Sequence, residues 1–121
     1  MILVDTSVWV SHLREGNLDL EKLLNDGEVL SHSFIIGELA CGNLKNRSEI
    51  LSLLRALPLV IQAEHEEVLQ CIENNRLMRK GLGYIDIHLI ASAQLSGAAI
   101  WTLDKKLAEV SAKLGLGLIK K

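Results

Sequence analysis

Five short apolar runs along the chain show no alternation of polar and apolar positions. Runs of this kind are typical of strands that are buried on both faces of a sheet. They predict strands at residues 2–4, 28–31, 58–61, 99–103 and 116–119. Pro58 stands at the first position of its run, where a strand accepts proline because the ladder loses little there.

The longer segments between these runs place apolar residues three and four positions apart, which is the spacing of one helix face. Most of these segments end at a glycine or at an Asn or Asp next to one, which are ordinary helix stops. The pattern predicts helices from about Ser7 to the stop at Gly16 and over residues 18–24, 33–41, 48–56, 64–80, 84–96 and 104–114. Residues 64–80 form the longest of the predicted helices.

Strands that alternate with helices predict a parallel sheet with right-handed crossovers and helices on both faces. We therefore expect an α/β fold, a three-layer α/β/α sandwich whose central sheet has short, mostly parallel strands. A chain of 121 residues has the size of one domain, so residues 1–121 are predicted to form a single domain. Pro occurs only once and no low-complexity tract is present, so no linker is expected.

Composition narrows the classes of protein that this chain can represent. A net charge of −2 argues against a protein that coats DNA, and 3% aromatic residues are too few for a surface that stacks a run of bases. Cys41 and Cys71 are too far apart for a C-x-x-C motif, which predicts two buried free thiols in a reducing compartment. Neither a signal peptide nor a membrane span is recognisable, so a soluble, cytoplasmic protein is expected.

Two acids directly follow predicted strands, Asp5 after residues 2–4 and Asp104 after residues 99–103. In an open parallel sheet the ligand site lies beyond the carboxyl ends of the strands. We therefore expect both carboxylates at that edge. Asp is also a preferred helix N-cap, and capping alone would explain either residue taken singly.

Two further acids stand in apolar helical segments. Glu38 lies in one such segment, where an unpaired acid would be costly to bury. The alternative to a role in a site is a place on the solvent face of an amphipathic helix. Asp86 falls in the first turn of another, where the helix dipole alone favours an acid. Four converging carboxylates would repel each other, and a hard divalent cation such as Mg²⁺ removes that repulsion. No Cys/His cluster has the spacing of a zinc site.

In their order and spacing these residues resemble the PIN-domain family and, within it, the VapC-type toxins. The acids are 33, 48 and 18 residues apart, and the similarity covers the whole chain. The most specific part of the resemblance is Asp86, which Leu-Ile-Ala follows three to five positions later. A Thr-Leu-Asp segment comes next, and its Asp lies 18 residues after Asp86. The motifs that carry the resemblance are Met1-Ile2-Leu3-Val4-Asp5-Thr6-Ser7-Val8-Trp9, Glu38-Leu39, Asp86-Ile87-His88-Leu89-Ile90-Ala91 and Thr102-Leu103-Asp104.

The resemblance implies a Mg²⁺- or Mn²⁺-dependent endoribonuclease that is the toxin of a toxin–antitoxin pair. It implies a cognate antitoxin as partner and often a homodimer. It further implies catalytic metal ligands at Asp5, Glu38, Asp86 and Asp104, with support from the hydroxyl groups of Thr6 or Ser7 and of Thr102. Many relatives carry one more acid two positions after the last, where this chain has Lys106, so a second metal is expected to bind weakly or only together with RNA.

RNA would have to be held by local positive charge. The recurrence of Arg76, Arg79 and Lys80 at helical spacing predicts one basic ridge, and the alternative is a face that only confers solubility. The apolar stripe of Val8, Trp9 and Leu13 could receive a partner helix or simply pack in the core. The candidates for contact with RNA are Arg14, Arg76, Arg79, Lys80, Lys105 and Lys106.

Two other kinds of protein compete with the nuclease. One is a non-catalytic interaction module that keeps the fold and uses its acids only for structure. The other is a different phosphate enzyme on a doubly wound sheet. A phosphatase of the haloacid-dehalogenase type would need a second Asp at Ser7. A receiver domain would need an Asp after the run at 57–61, where Gln62, Ala63 and Glu64 follow.

Overall fold

Three short parallel strands form the centre of the fold. The computed structural model describes residues 1–118, in which β1 (Ile2–Val4) lies between β2 (Val29–Leu30) and β3 (Ala99–Trp101). Leu3 pairs with a residue of each neighbouring strand. Side chains of consecutive strand residues point to opposite faces, and both Leu3 and Val4 are fully buried. The sheet is therefore covered on both faces, as the predicted three-layer arrangement requires.

The two outer strands of the prediction shrink to single parallel bridges. Leu59 bridges Ser31 beyond β2, through hydrogen bonds of 2.9 Å from Ser31 N–H to the Pro58 carbonyl and from Val60 N–H to the Ser31 carbonyl. Gly117 bridges Ile100 beyond β3. The end of the last predicted strand, Ile119, lies outside the described residues. The sheet thus continues on both sides of the three strands without forming further regular ones.

Helices occupy most of the described chain, and their order confirms the predicted alternation of sheet and helix. α1 ends where Gly16 adopts a φ of 81°, and α6 ends where Gly97 adopts a φ of 63°, both positive values that glycine accepts readily. The helices are α1 (Thr6–Glu15), α2 (Leu18–Asn25), α3 (Ser33–Ala40), α4 (Arg47–Ala56), α5 (His65–Asn75), α6 (Tyr84–Ser96) and α7 (Lys105–Lys113).

The predicted long helix over residues 64–80 is wrong in its second half. α5 ends at Asn75, and Arg76 follows in the left-handed conformation with a φ of 52°. The Leu77 N–H bonds back to the Ile72 carbonyl at 2.9 Å, and the Leu77 side chain is buried. This is the pattern of a Schellman-type helix end, in which a buried residue after the turn stabilises the stop.

Burial decides two questions that the sequence left open. Val8 and Trp9 are buried in the core, so these two residues of the stripe on α1 pack within the domain, whereas Leu13 is half-buried. Cys71 is buried as predicted, but Cys41 is exposed at the C-cap of α3, so the prediction of two buried thiols is wrong for Cys41.

Within residues 1–118, none of the helices has the length and apolar character needed to cross a bilayer.

Candidate functional site

Asp5 and Thr102 are brought side by side at the carboxyl ends of β1 and β3. The parallel register pairs Val4 with Trp101, and the Asp5 N–H donates to the Trp101 carbonyl at 2.9 Å. α1 begins directly after Asp5, and α7 begins directly after Asp104. The two acids predicted to follow strands therefore lie at one edge of the sheet, where doubly wound folds bind their ligands.

Asp5 is buried and is held by two hydroxyl groups. Ser7 Oγ donates to Asp5 Oδ2 at 2.8 Å, and Thr102 Oγ1 donates to the same oxygen at 2.7 Å. Both hydroxyls in turn accept a backbone N–H, Ser7 from Leu103 at 3.0 Å and Thr102 from Asp104 at 3.1 Å. Although Asp5 occupies the N-cap position of α1, its side chain makes no capping bond. The carboxylate is thus oriented by side chains, and capping does not explain it.

Glu38 lies on the exposed side of α3, yet it is tied to α1. Thr6 Oγ1 donates to Glu38 Oε1 at 3.0 Å, across 32 residues of sequence. This contact joins the side chain directly after Asp5 to the acid in the apolar helix. The structure places Thr6, Ser7 and Thr102 each against a carboxylate, with Thr6 on Glu38 and the other two on Asp5.

Asp86 lies in the first turn of α6, where its Oδ2 accepts the Gly83 N–H at 3.1 Å. Burial raises the pKa of this carboxyl above its ordinary value. The negative charges of Asp104 and Asp5 raise the pKa further, while the hydrogen bond from Gly83 opposes the shift. Asp5 and Asp104 therefore both lie within electrostatic reach of Asp86.

Asp104 caps α7, since its Oδ1 accepts the Leu107 N–H at 2.9 Å. With Asp104 included, the four acids share one feature. Each uses one carboxylate oxygen for a hydrogen bond inside the protein, and in the described part of the chain the second oxygen has no such bond. We refer to these four residues as the acid site, which consists of Asp5, Glu38, Asp86 and Asp104.

The acid site carries negative charge without a neutralising partner. No Lys or Arg among residues 1–118 forms an ion pair with any of its members, and no three His, Cys, Asp or Glu side chains of that range stand close enough together to enclose a metal ion as they are. The donors are carboxylate oxygens, which suit Mg²⁺ or Mn²⁺. Mg²⁺ usually keeps several waters, so it accepts such an open set of ligands. The residues therefore fit the ion that the sequence predicted.

The predicted basic ridge does not exist. Arg76 and Arg79 have φ values of 52° and 61°, so they stand outside any helix and do not share a face with Lys80. Arg14 is exposed in the last turn of α1, and Lys105 and Lys106 are exposed at the start of α7. The Lys106 side chain lies against Gly81. The Lys106 Nζ is 2.7 Å from the position that a Cβ on Gly81 would occupy.

Sequence reasoning missed a cluster of rings beside the acid site. Phe34 and His88 have ring centroids 4.5 Å apart, and Tyr84 lies 5.7 Å from His88 and 5.8 Å from His65. These residues are spread over 54 positions, and each is unremarkable in its own segment. The only local signal was Tyr84 in the same helical turn as Asp86.

His32 stands behind this cluster and is structural. Its Nδ1 accepts the Phe34 N–H at 3.0 Å, and its Nε2 is 3.2 Å from Ser92 Oγ. Burial, together with the neighbouring His88, lowers the pKa of His32 to about 4. Neutral His32 therefore links the start of α3 to α6 near neutral pH, and it presents no charge to the acid site.

Comparison with known proteins agrees with this arrangement. The chain is 44% identical over 119 residues to Ribonuclease VapC32 of Mycobacterium tuberculosis, in both strain CDC 1551 / Oshkosh and strain ATCC 25618 / H37Rv, and the match covers 98% of this chain and 96% of the relative. The fold is similar to the crystal structure of PAE2754 from Pyrobaculum aerophilum, with a TM-score of 0.62 and 20% identity over 90% of this chain and 78% of that one. The family model for the PIN domain matches residues 2–113. The chain therefore belongs to the PIN-domain family and, within it, to the VapC type.

Proposed function

We propose that this protein is a metal-dependent endoribonuclease and the toxin of a toxin–antitoxin pair. The relative that is 44% identical over nearly the full length of both chains is named a ribonuclease of the VapC type. The observation that carries the proposal is the acid site, in which four carboxylates from α3, α6 and the ends of β1 and β3 each keep one oxygen without a protein hydrogen bond in the described chain.

In this proposal Asp5, Asp86 and Asp104 hold Mg²⁺ or Mn²⁺, and Glu38 completes the ligand set directly or through water. A divalent cation bound there supplies Lewis-acid activation and charge neutralisation at the scissile phosphate. Ser7 and Thr102 orient Asp5, and Thr6 orients Glu38, so these two ligands are each supported by neighbouring hydroxyl groups.

Glu38 has a second role in the proposed reaction. The oxygen that Thr6 does not occupy accepts a proton from the attacking water as its oxygen bonds to phosphorus. The P–O3′ bond then breaks, and the leaving oxygen takes up a proton to become a 3′-hydroxyl while the phosphate stays on the 5′ end. Arg14, Lys105 and Lys106 are candidates for contact with neighbouring phosphates, since all three are exposed.

RNA cleavage tests the catalytic part of this proposal. Purified protein should cleave single-stranded RNA with Mg²⁺ or Mn²⁺ and lose that activity in EDTA. Asp5→Asn should lower cleavage by several orders of magnitude. Asp26→Asn is the matched control because Asp26 is an exposed acid in the C-cap of α2, remote in sequence from the acid site. An Asp5→Asn enzyme as active as Asp26→Asn would overturn the proposal.

Mn²⁺ titration by calorimetry separates the nuclease from a non-catalytic PIN-like module. Binding by the parent protein that disappears in Asp5→Asn supports the nuclease, whereas no binding at all favours the module. The cytoplasm is the proposed compartment, supported by the free thiols of Cys41 and Cys71.

The toxin role and the partners need a test in cells. Induced expression should arrest growth, and Asp5→Asn should remove the arrest. Co-expression of the antitoxin encoded beside the toxin gene should also relieve it. The homodimer that the resemblance implied is tested by light scattering of the purified chain, where the mass of one chain, 13.4 kDa, would exclude it.

A further inference from the structure

The rings beside the acid site form a continuous band. The band runs from α3 through α6 to α5, with neighbouring ring centroids 4.5 to 5.8 Å apart. Phe34 stands one helical turn before Glu38, and Tyr84 stands in the same turn as Asp86. Phe34 and Glu38 therefore share one face of α3, while Tyr84 and Asp86 share only the first turn of α6. We refer to Phe34, His88, Tyr84 and His65 as the aromatic band.

Tyr84 is exposed, unlike the two tryptophans of the core. Its relative exposure is 43%, whereas Trp9 and Trp101 are 5% and 8% exposed. The ring is nevertheless fixed at two points. Its hydroxyl oxygen lies 2.8 Å from His65 Nδ1, and its plane stands at 81° to the His88 ring in an edge contact. A large ring that is both exposed and held in one orientation is suited to stacking, since little side-chain entropy is left to lose.

The backbone at the start of α6 connects Tyr84 to the acid site. Asp86 Oδ2 accepts the N–H of Gly83, the residue directly before Tyr84, at 3.1 Å. The side chains of Tyr84 and Asp86 leave the helix on different sides, so a base on Tyr84 would belong to a nucleotide that flanks the phosphate placed at Asp86 by the proposed function. Base stacking on exposed aromatic rings is a common way of holding single-stranded RNA.

We propose that Tyr84, oriented by His65, stacks on one unpaired nucleobase next to the scissile phosphate and so contributes to the choice of cleavage site. This inference rests on the proposed ribonuclease function. A single exposed ring accounts for one base, which agrees with a chain whose aromatic content is too low to stack a run of bases. His65 is a positioning residue in this scheme, because it acts on the base only through the Tyr84 hydroxyl.

The test is binding of short single-stranded RNA oligonucleotides in EDTA, where the proposed cleavage does not proceed. Each oligonucleotide carries 2-aminopurine at a different position, and stacking quenches the fluorescence of that base. The parent protein should quench one position strongly. Tyr84→Leu, which keeps apolar volume without the ring, should abolish this quenching and weaken binding between about 5-fold and about 100-fold.

Three further variants separate stacking from a purely structural role. Tyr84→Phe keeps the ring and should retain most of the quenching, while His65→Ala should weaken it because the ring is released. Leu95→Ala is the matched control, since Leu95 is an equally exposed apolar residue (44%) near the other end of α6 and should bind as the parent does. Thermal unfolding of every variant shows whether it is folded.

An abasic oligonucleotide completes the experiment. Removing the base at the quenched position should weaken binding to the parent protein as much as Tyr84→Leu does, and the two changes together should cause no further loss. Equal quenching at every position, or Tyr84→Leu binding every oligonucleotide as the parent does, would overturn the inference.

Cleavage is measured in parallel with Mn²⁺ and the same RNA. Absence of cleavage would refute the proposed nuclease while the binding result on Tyr84 stood. Absence of position-specific quenching would refute the stacking inference whatever the cleavage assay gave.

Discussion

Thr102→Val tests the idea that hydroxyl groups orient Asp5 at the sheet edge. Valine has nearly the shape of threonine and suits the extended chain after β3, so the change removes a hydroxyl and little else. Thr102 Oγ1 donates to Asp5 Oδ2 at 2.7 Å and accepts the Asp104 N–H at 3.1 Å. We expect lower stability and lower activity from the same substitution.

The size of the stability loss follows from these contacts. A hydrogen bond to a charged group contributes about 1.5–3 kcal/mol to the free energy of unfolding. Ser7 still donates to the same Asp5 oxygen at 2.8 Å, and the exposed position of Asp104 lets water replace the other lost contact. The lower part of the range therefore applies, about 1.5–2 kcal/mol. For a chain of this length this lowers Tm by about 6–8 °C.

The expected loss of activity is larger. Groups that orient a metal ligand typically change metal affinity or activity by about 10- to 100-fold when they are removed. Titration of RNA cleavage with Mn²⁺ should therefore show a higher metal requirement, a lower kcat/KM, or both. Ser7→Ala should have a similar effect, and the double variant should deviate from additivity because both hydroxyls bind one oxygen.

Thr102→Ser is the control, because it restores the hydroxyl and loses only one methyl group, worth about 0.8 kcal/mol at most. It should keep nearly the full activity of the parent. If Thr102→Val unfolds at the same temperature as Thr102→Ser and cleaves RNA with the same dependence on Mn²⁺, then the hydrogen bond to Asp5 does not orient a ligand, and the reasoning is refuted.

Two further predictions use the charge of Asp86 and the backbone of Gly81. Folding raises the pKa of Asp86 through burial and the charges of Asp104 and Asp5, so ionised Asp86 destabilises the metal-free fold. This destabilisation is absent below the ordinary pKa of 3.8 and complete above the raised pKa of the folded protein. In EDTA near neutral pH, Asp86→Asn should therefore resist urea better than the parent protein, and this gain in stability should fade on acidification. The stabilisation that Mn²⁺ gives the parent should be lost in the variant. Equal stability of the two proteins at neutral pH would contradict this prediction. Gly81→Ala should displace the Lys106 side chain, whereas Gly97→Ala also has a positive φ but open space around its Cβ, so both should lose about 1–2 kcal/mol of stability. Only Gly81→Ala should weaken RNA binding and reduce its salt dependence by about one counterion; equal RNA affinity of the two variants would remove Lys106 from the list of phosphate contacts.

Much of the architecture could be predicted because burial leaves a periodic trace within each segment. Residues 2–4 were predicted as a strand from three consecutive apolar side chains, and β1 has those bounds. α6 likewise has the predicted bounds, since Gly83 and Gly97 flank its apolar core. The prediction failed where long-range packing overrides the local pattern. α5 ends early because Leu77 turns into the core, and each outer predicted strand contributes a single bridge within residues 1–118.

The acids illustrate the same division. Asp5 and Asp104 could be placed at one sheet edge from the chain alone, because parallel strands end on the same side. The metal-binding and catalytic roles of all four acids remain predictions.

The sequence by itself determined the alternation of strands and helices, the helix stops and the positions of the acids, because these depend on residues that are neighbours along the chain. Only the tertiary structure decided that Thr6 meets Glu38, that Ser7 and Thr102 share one oxygen of Asp5, and that Tyr84 rests against His65. The contacts of Thr6 with Glu38, of Thr102 with Asp5 and of Tyr84 with His65 join side chains 19 to 97 residues apart. Their geometry is set by how the layers of the fold pack on each other, and no local pattern of residues contains that information.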